Sequence, residues 1–355
     1  MERALRLLVT GACGFVGSTL IPTLLAALPG LEVVGLDNFL RDGSRGNVAP
    51  LRRLGVKVVE GDIRSEDDLA GIGRVDWVLD CAAEPGVLAG VGGAVSSFGV
   101  MDHNLIGTLR VLEFCKAHGA GLVLLSTSRV YSIAPLSALA VETIDGAFCP
   151  APGACSQTPG LSGRGIAESF STAPPLSLYG VSKRCAELVA LEYADAFGFP
   201  LWINRCGVLA GAGQFGKADQ GIVAYWIRAW RERKPLRYIG FGGEGAQVRD
   251  FLHPRDLTGA IVKQFAAGAH APLIKGEGVD PRICNFAGGL SNACSLANLS
   301  AWCRDRFGPH EVGSDPTPRP FDLPWVVLDA TRAAEAWDWK PVTPLPEIFA
   351  EIAES

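Results

Sequence analysis

The most informative absence in the sequence is that of a long apolar stretch. No run reaches the roughly 18 uncharged residues that a membrane-spanning helix needs, which argues against an integral membrane protein. The residues from Met1 onward carry charge and lack the apolar core and cleavage site of a secretory signal peptide. Lys and Arg are not clustered and the formal net charge is −5, so a general nucleic-acid binder is not expected either. Together these absences predict a cytoplasmic protein.

Paired cysteines are absent too. The ten cysteines are scattered singly, with no C-x-x-C pair and no Cys/His spacing typical of a metal site. We therefore predict reduced, mostly buried thiols and no bound metal. What the chain of 355 residues does have is 48% hydrophobic and 19% charged residues, which is ample for a buried core. This length suits one large α/β domain, alone or with a smaller companion.

Short apolar runs alternate with helix-length segments through the first half of the chain. The runs lack polar alternation, as expected of strands that are buried on both faces of a sheet. They are residues 5–10, 32–36, 56–59, 75–79 and 122–125, with a later one at 201–208. Helix-period segments include 15–28, 100–117 and 179–197. This order predicts an α/β fold with a doubly wound parallel sheet of the Rossmann type.

The second half of the chain predicts a smaller companion to that sheet. We expect residues 1–210 to form the Rossmann domain and residues 211–355 to be mainly a substrate-binding portion, with some segments returning to the first domain. The stretch 133–178 is rich in Pro, Ser, Gly and Ala and far exceeds a usual loop of roughly 4–6 residues. It is interpreted as an insertion, either a functional lid or a tolerated surface addition.

A glycine-rich turn follows the first predicted strand and opens the first predicted helix. Glycine permits a tight turn and a close approach of the backbone to a pyrophosphate, and a helix N-terminus offers N–H groups and a partial positive charge. The candidate contacts to a dinucleotide are Gly11, Gly14, Phe15, Val16 and Gly17.

An acidic residue, Asp37, ends the second predicted strand about 20 residues after Gly17 and is followed by Asn38. A carboxylate at this position accepts hydrogen bonds from the adenosine ribose hydroxyls and repels a 2′-phosphate, which favours NAD over NADP. Arg41 and Arg45 lie nearby and could soften that preference. A plain strand-end turn is the alternative role of Asp37.

Tyr179 and Lys183 are four residues apart and therefore share one helical face. A tyrosine hydroxyl has an ordinary pKa of about 10, which is too high for a base at neutral pH. A neighbouring ammonium and the positive nicotinamide of oxidised NAD favour the phenolate, so Tyr179 can take a proton from a substrate hydroxyl. The same spacing also occurs by chance on many helices. Thr127, at the end of the fifth strand, is the preferred holder of the reacting oxygen, with Ser126 and Ser128 as alternatives.

Further candidates for the cofactor site follow the other predicted strands, because ligands bind at the carboxyl ends of strands in open α/β sheets. They are Asp62, Ile63, Cys81, Ala82 and Ala83. Capping or turn formation would explain each of them singly. Asn104 lies inside a predicted helix, although asparagine is unfavourable in helix interiors. Its side chain either orders a water molecule or a backbone group near Lys183, or it faces solvent.

With these residues in place, nearly the whole chain resembles the extended short-chain dehydrogenases that epimerise or dehydrate nucleotide sugars. The resemblance also covers Val248-Arg249-Asp250-Phe251-Leu252-His253. It implies that Thr127, Tyr179 and Lys183 form the catalytic set, that NAD is the cofactor, and that the protein is a homodimer. It further implies that Arg249 grips the substrate diphosphate, for which a surface salt bridge with Asp250 is the alternative.

Within that family the likeness is greatest to the CDP-paratose 2-epimerases, also called CDP-tyvelose epimerases. It lies in residues 126–131, 213–217 with 219–221, and 240–243 leading into 247–250. The substrate contacts that it implies, beside Arg249, are Ser128, Arg129, Gln214, Phe215, Lys217 and Gln220. A structured surface loop is the alternative for residues 213–221.

Two departures from the family pattern bear on the reaction. Dehydratases of the family carry Asp-Glu directly after their threonine, whereas this chain has Ser128-Arg129 and so lacks the acid and base for water loss. Val208 stands where many relatives have asparagine. The first departure disfavours dehydration, and the likeness to the CDP-paratose 2-epimerases implies an epimerase that acts at C2, by transient oxidation to a ketosugar and hydride return to the opposite face. A 4-epimerase or ketoreductase on the same site, or a non-catalytic dinucleotide sensor, are the alternatives.

Overall fold

The computed structural model describes residues 4–92, 95–216, 220–270 and 278–355. Its strands are, in chain order, β1 (Arg6–Thr10), β2 (Glu32–Asp37), β3 (Lys57–Glu60), β4 (Trp77–Asp80), β5 (Gly121–Thr127), β6 (Val141–Ile144), β7 (Ala147–Pro150), β8 (Leu161–Ser162), β9 (Gly165–Ile166), β10 (Leu201–Cys206), β11 (Val208–Leu209), β12 (Leu236–Ile239), β13 (Val248–Leu252), β14 (Ile283–Phe286), β15 (Ala293–Ser295), β16 (Val312–Asp315) and β17 (Trp325–Val326). Its α-helices are α1 (Phe15–Ala27), α2 (Val48–Arg53), α3 (Glu66–Ala70), α4 (Ser97–Met101), α5 (Gly107–His118), α6 (Ile133–Ser137), α7 (Ala154–Gln157), α8 (Leu178–Phe197), α9 (Ile222–Arg231), α10 (Thr258–Ala267), α11 (Leu296–Phe307), α12 (Thr331–Trp337) and α13 (Leu345–Glu354). A π-helical turn, Asp102–Ile106, joins α4 to α5.

Seven parallel strands form the central sheet in the order β14-β10-β5-β4-β1-β2-β3. In the middle of the sheet, Thr10 of β1 is opposite Leu36 of β2 on one side and Asp80 of β4 on the other. The chain first builds outward from β1 to β3 and then starts again on the opposite side of β1 with β4. This confirms the predicted doubly wound, Rossmann-type sheet, and the crevice at its switch point lies between the carboxyl ends of β1 and β4.

Both faces of the sheet are covered, which explains why its strands are continuously apolar. Leu7 and Val9 of β1 belong to one buried core and Leu8 to the other, and all three are 0% exposed. Helix α1 packs on the first core through Leu20, and α5 packs on the second through Val111. A polar residue in the middle of β1 would therefore be buried without water on either side.

The strand that we predicted over residues 201–208 ends at Cys206. The N–H of Gly207 donates to the carbonyl of Phe286 at 2.9 Å, and the chain then leaves the central sheet as β11, which pairs with β13. A Cβ at position 207 would lie 2.8 Å from Oδ1 of Asp250. Glycine at this position thus lets the chain pass from one sheet to the next.

Residues 133–178 form neither a lid nor a loose surface addition. The segment folds into α6, the β6–β7 hairpin, α7 and the short β8–β9 ladder. Its apolar side chains, such as Leu136, Ile166 and Phe170, pack in one core with Trp325 and Leu328 from near the C-terminus. The protein has a large cavity at the carboxyl ends of the central strands, and none of residues 133–178 lines it. Residues 133–178 therefore pack between the sheet and the C-terminal portion, and we call this segment the wedge.

The C-terminal portion has a core of its own and also contributes to the central sheet. Helices α9, α11 and α13 surround Trp226, Trp230 and Phe349. Strand β14 returns to pair with β10, and α10 packs against α1. Among the described residues, no helix combines the length and the apolar character needed to cross a membrane.

Candidate active site

A cavity of about 1250 Å³ lies at the carboxyl edge of the central sheet. Its walls come from the glycine turn, the ends of β2, β4 and β5, the start of α8, and segments of the C-terminal portion. The cavity thus contains the switch point between β1 and β4, where open α/β sheets bind their ligands.

The glycine turn has the shape that a pyrophosphate requires. Gly11 has a φ of +61°, and a Cβ there would lie 3.0 Å from Cα of Ala82. Gly14 is the N-cap of α1 and supplies no side-chain cap, so the first N–H groups of this 13-residue helix remain available to an anion. A Cβ at Gly17 would lie 2.5 Å from the carbonyl oxygen of Gly11, so this glycine serves the packing of α1 on the turn. The residues of the turn that line the cavity are Gly11, Gly14, Phe15 and Val16.

Asp37 and Asn38 line the same cavity at the end of β2. Two backbone N–H groups hold the Asp37 carboxylate: that of Cys13 donates to Oδ2 at 2.9 Å and that of Phe39 to Oδ1 at 2.8 Å. Each oxygen keeps a lone pair for a ribose hydroxyl. Arg45 is engaged elsewhere, since it pairs with Glu60 at 2.5 Å and lies over the Phe39 ring at 4.4 Å. The Asp37 carboxylate therefore fits the hydroxyls of an adenosine ribose, and Arg41, which lines the same cavity, is the cation that could soften the preference for NAD.

The other predicted cofactor contacts divide into two groups. Those that line the cavity are Ile63, Cys81, Ala82 and Ala83. Asp62 does not line the cavity but contacts a residue that does: it accepts a hydrogen bond from Asn38 at 2.9 Å. It also pairs with Arg64 at 2.7 Å. Burial alone would raise the pKa of Asp62, but the Arg64 guanidinium holds it well below its usual range.

Asn104 is buried and lies behind the cavity wall, in the π-helical turn. Its Oδ1 accepts the N–H of Glu84 at 2.8 Å, and its Nδ2 donates to the carbonyl of Glu84 at 3.0 Å and to Oγ of Ser182 at 3.0 Å. The predicted contact to a backbone group is thus made to Glu84, and the solvent-facing alternative is wrong. Asn104 ties the segment after β4 to the helix that carries Tyr179.

Thr127, Tyr179 and Lys183 all line the cavity. Burial raises the pKa of Tyr179, while the nearby Thr127 hydroxyl and the charge of Arg129 lower it. The structure thereby supports Thr127 over its neighbours as the partner of Tyr179. Ser126 instead donates to the carboxylate of Glu187 at 2.5 Å.

Lys183 is only 2% exposed, and burial lowers its pKa. The charges of Asp80 and Glu187 act in the opposite sense and favour the ammonium. Asp80 ends β4 and accepts the hydroxyl of Thr10 at 2.5 Å, while its Oδ2 is buried without a hydrogen-bond partner among the described residues. Glu187 lies one helical turn beyond Lys183 on α8 and pairs with Arg205 at 2.7 Å.

A cationic group lines the part of the cavity that faces the C-terminal portion. This group includes Arg129 and Arg249. Burial and the positive charge of Arg249 lower the pKa of Arg129 to about 10. Arg249 pairs with Asp322 at 2.9 Å, whereas Asp250 accepts the N–H groups of Leu328 and Gly289 instead. The suggested salt bridge between Arg249 and Asp250 is therefore not formed.

The remaining predicted substrate contacts have the following positions. Those that line the cavity are Ser128, Gln214, Phe215 and Gln220. Gln214 donates to the carbonyl of Leu209 at 2.8 Å, and its Oε1 is buried without a partner among the described residues. Lys217 lies outside the residues that the structure describes. Val208 lines the cavity where relatives were expected to carry asparagine.

Several residues that shape the site were not identified from the sequence: Asp80, Glu84, Glu187, Arg319 and Asp322. For three of them a local signal existed in the sequence. Asp80 directly precedes Cys81 at a strand end, and Glu187 continues the four-residue spacing of Tyr179 and Lys183. Glu84 directly follows Ala83 of the same predicted segment, whereas Arg319 and Asp322 reach the cavity only through tertiary packing.

Comparisons with known proteins agree with this geometry. The model of the NAD dependent epimerase/dehydratase family matches residues 7–273. A CDP-paratose 2-epimerase of Salmonella typhi is 27% identical over 345 residues, 95% of each chain. A dTDP-4-dehydro-6-deoxy-D-allose reductase of a Streptomyces species is 26% identical and covers 94% of this chain and 91% of its own. The crystal structure of Thermus thermophilus UDP-glucose 4-epimerase with NAD superposes with a TM-score of 0.75 at 25% identity, covering 99% of this chain and 98% of the other. These matches confirm the stated resemblance and the prediction of NAD.

Proposed function

Because the chain belongs to the NAD-dependent epimerase/dehydratase family, we propose that it epimerises a nucleotide-activated sugar, with C2 as the carbon that changes configuration. One observation carries the proposal. Tyr179 and Thr127 line the same cavity as the glycine turn and Asp37, and the Thr127 hydroxyl lowers the pKa of Tyr179. The base and the dinucleotide site therefore face one space.

The protein's own residues supply the proton chemistry. Tyr179, as the phenolate, takes the proton of the sugar hydroxyl at the carbon that is oxidised. Thr127 holds the reacting oxygen through its hydroxyl, and Arg129 stabilises the phenolate by its charge. Lys183 adds an ammonium that Asp80 and Glu187 help to keep protonated. Bound NAD would accept a hydride from the sugar and return it to the opposite face of the ketosugar.

Three arginines of the cavity support a binding site for the phosphates of the substrate. Arg129, Arg249 and Arg319 line the cavity there, with Asp322 as a carboxylate that pairs with one of them. Guanidinium groups bind phosphate oxygens in a bidentate manner. We propose that a diphosphate displaces part of the Arg249–Asp322 contact and so fixes the sugar beside Tyr179.

Two features favour epimerisation over dehydration. The positions after Thr127 hold Ser128 and Arg129, so neither an acid nor a base for water loss stands there. The similarity to a CDP-paratose 2-epimerase along 95% of both chains supports C2 as the site of reaction and a CDP-sugar as the substrate.

The first experiment asks whether the protein retains NAD and which sugar it converts. Purified protein is denatured, NAD is measured in the supernatant, and the native enzyme is incubated with CDP-, UDP-, GDP- and dTDP-sugars. We expect bound NAD and conversion of one CDP-sugar without added cofactor. Tyr179→Phe should abolish conversion and leave the NAD content unchanged, and full activity of this variant would contradict the assigned mechanism.

Two other reactions on the same site, a 4-epimerisation and a ketoreduction, are the alternatives, and the names of similar proteins include both. A sugar deuterated at one carbon identifies the bond that is broken. Deuterium retained at C2 with inverted configuration at C2 supports our proposal, whereas deuterium retained at C4 with inverted configuration at C4 identifies a 4-epimerase. Net consumption of NADH identifies a ketoreductase. A non-catalytic dinucleotide sensor would convert no sugar at all.

We also propose that the protein works as a cytoplasmic homodimer. Two large apolar side chains on neighbouring helices support an assembly surface: Phe98 of α4 is 74% exposed and Leu188 of α8 is 47% exposed. Light scattering of the purified protein tests the dimer, with a monomer mass as the contrary result.

A further inference from the structure

A carboxylate that the mechanism does not use, that of Glu84, enters the cavity four residues after β4. Its backbone is held at both ends by one side chain, since Asn104 accepts its N–H at 2.8 Å and donates to its carbonyl at 3.0 Å. The same amide donates to Ser182, whose hydroxyl donates to the carbonyl of Tyr179 at 2.8 Å. Glu84 is therefore fixed relative to Tyr179 by a continuous chain of hydrogen bonds.

The side chain of Glu84 keeps most of its capacity to accept hydrogen bonds. Its Oε1 accepts the N–H of Gly86 at 3.3 Å, and Oε2 has no hydrogen-bond partner within the described part of the chain. Of the other acids that line the cavity, Glu311 is exposed to solvent, and two are already engaged: Asp37 holds two backbone N–H groups, and Asp322 pairs with Arg249. Glu84 thus differs from these two in offering a free carboxylate oxygen.

The charge of Glu84 also shows where in the cavity it acts. The charges of Arg129 and Glu84 both act on the Tyr179 hydroxyl: Arg129 lowers its pKa and Glu84 raises it. Lys183 follows one turn later on the same helix. Glu84 is therefore within electrostatic reach of the reacting hydroxyl, in the cavity that Glu84 and Tyr179 both line.

We propose that Glu84 is a specificity-determining residue, whose carboxylate accepts a hydrogen bond from a hydroxyl of the sugar next to the carbon that Tyr179 serves. The inference rests on the proposed function, because it requires a sugar in this part of the cavity. A carboxylate selects a neighbouring hydroxyl over a deoxy carbon, since an unpaired carboxylate facing a methylene would lose its hydration without replacement. Anchoring by Asn104 provides the fixed position that such selection needs.

The test compares wild type, Glu84→Gln and a matched control, Glu142→Gln, which removes an exposed carboxylate on β6 outside the cavity. Each NAD-loaded protein is titrated by calorimetry with four pairs: CDP-glucose and CDP, UDP-glucose and UDP, GDP-mannose and GDP, and dTDP-glucose and dTDP. For the pair that wild type binds best, we expect Glu84→Gln to weaken the nucleotide sugar about tenfold and to leave the nucleoside diphosphate unchanged. Glu142→Gln should match wild type for both.

A second measurement does not depend on a sugar. The absorbance of the phenolate is followed against pH in each protein, and the same titration of the corresponding Tyr179→Phe variant is subtracted. Because the negative charge of Glu84 opposes the phenolate, Glu84→Gln should titrate Tyr179 at lower pH, whereas Glu142→Gln should not move it. A purely structural role of Glu84 predicts no such shift.

The outcomes separate this inference from the proposed function. If wild type binds none of the nucleotide sugars, the proposed function is wrong, and the phenolate titration still judges the position of Glu84. If wild type binds a nucleotide sugar and Glu84→Gln binds it equally well, the role of Glu84 is refuted while the proposed function stands. Equal loss of nucleotide sugar and nucleoside diphosphate also refutes it, because Glu84 would then act on the cavity as a whole.

Discussion

The buried ion pair between Glu187 and Arg205 makes a sharp prediction about stability. Glu187 is 0% and Arg205 is 2% exposed, and two hydrogen bonds of 2.9 and 2.7 Å join them. Ser126 adds a hydrogen bond of 2.5 Å, and Arg184 adds a second cation at 3.0 Å. Glu187→Gln keeps the shape of the side chain but leaves the Arg205 guanidinium without its counter-charge in the core.

The expected loss follows from this geometry. Removing one partner of a buried pair costs about 3–5 kcal/mol in the free energy of unfolding, because the remaining charge stays desolvated. For a chain of 355 residues, that loss corresponds to a decrease in Tm of about 4–7 °C. The pH dependence has a definite sign. Burial alone would raise the pKa of Glu187, but Arg205 holds it below the ordinary value of 4.5, so the pair stabilises the protein above that pH and loses its effect as the pH falls through the folded pKa.

Differential scanning calorimetry at pH 7 and at several lower pH values measures both effects. The control is the double variant Glu187→Leu with Arg205→Met, which removes both charges and should be more stable than either single variant. A Tm of Glu187→Gln within about 1 °C of wild type would refute the reasoning. So would a double variant that is less stable than both singles.

Three further changes probe other parts of the molecule. Gly11→Ala adds a Cβ at a φ of +61° and 3.0 Å from Ala82, so the purified variant should retain about a tenth or less of the wild-type NAD; full NAD content would contradict the turn geometry. Asp37→Ser should reduce the preference for NAD over NADP about tenfold in titrations of the apoprotein, and an unchanged ratio would remove Asp37 from the ribose site. Phe170 is 2% exposed, and its ring meets that of Tyr131 edge-on at a centroid distance of 5.9 Å. Phe170→Ala should lower the free energy of unfolding by about 3–5 kcal/mol and leave the affinity for NAD unchanged. A parallel loss of NAD affinity would show that the wedge contributes to the cavity.

Local patterns were enough to predict the sheet and the glycine turn. Strands such as β1 are apolar on both faces, and only a sheet covered by helices on both sides buries them. Gly11 and Asp37 were identifiable because the chemistry of a dinucleotide site depends on a strand, a turn and a helix that are adjacent in sequence. The pairing of Tyr179 with Lys183 likewise depends on one helix.

The contacts that the sequence did not reveal join residues far apart in the chain. Asp80 acts on Lys183 from β4, and Asp322 reaches Arg249 from near the C-terminus. Such contacts depend on how elements pack, which no local spacing encodes. Residues 133–178 illustrate the same limit, since their turn-rich composition indicates a loop while their apolar side chains fill a core that is completed about 150 residues later.

That wedge has a consequence for how the protein is made. The N–H of Ile166 donates to Val327, the carbonyl of Ile166 accepts from Asp329, and the amide of Asn285 donates to the same carbonyl at 2.9 Å. During synthesis, the strands β1 to β10 are therefore complete before these partners exist. Until then the N–H and the carbonyl of Ile166 lack the hydrogen bonds that they make in the folded protein. Closure of so distant a contact is slow. The wedge is therefore completed only once residues 327–329 have been made, and a chain cut before Val327 should unfold at a lower temperature than the full chain, although every residue of the glycine turn and of the Tyr179 helix is present.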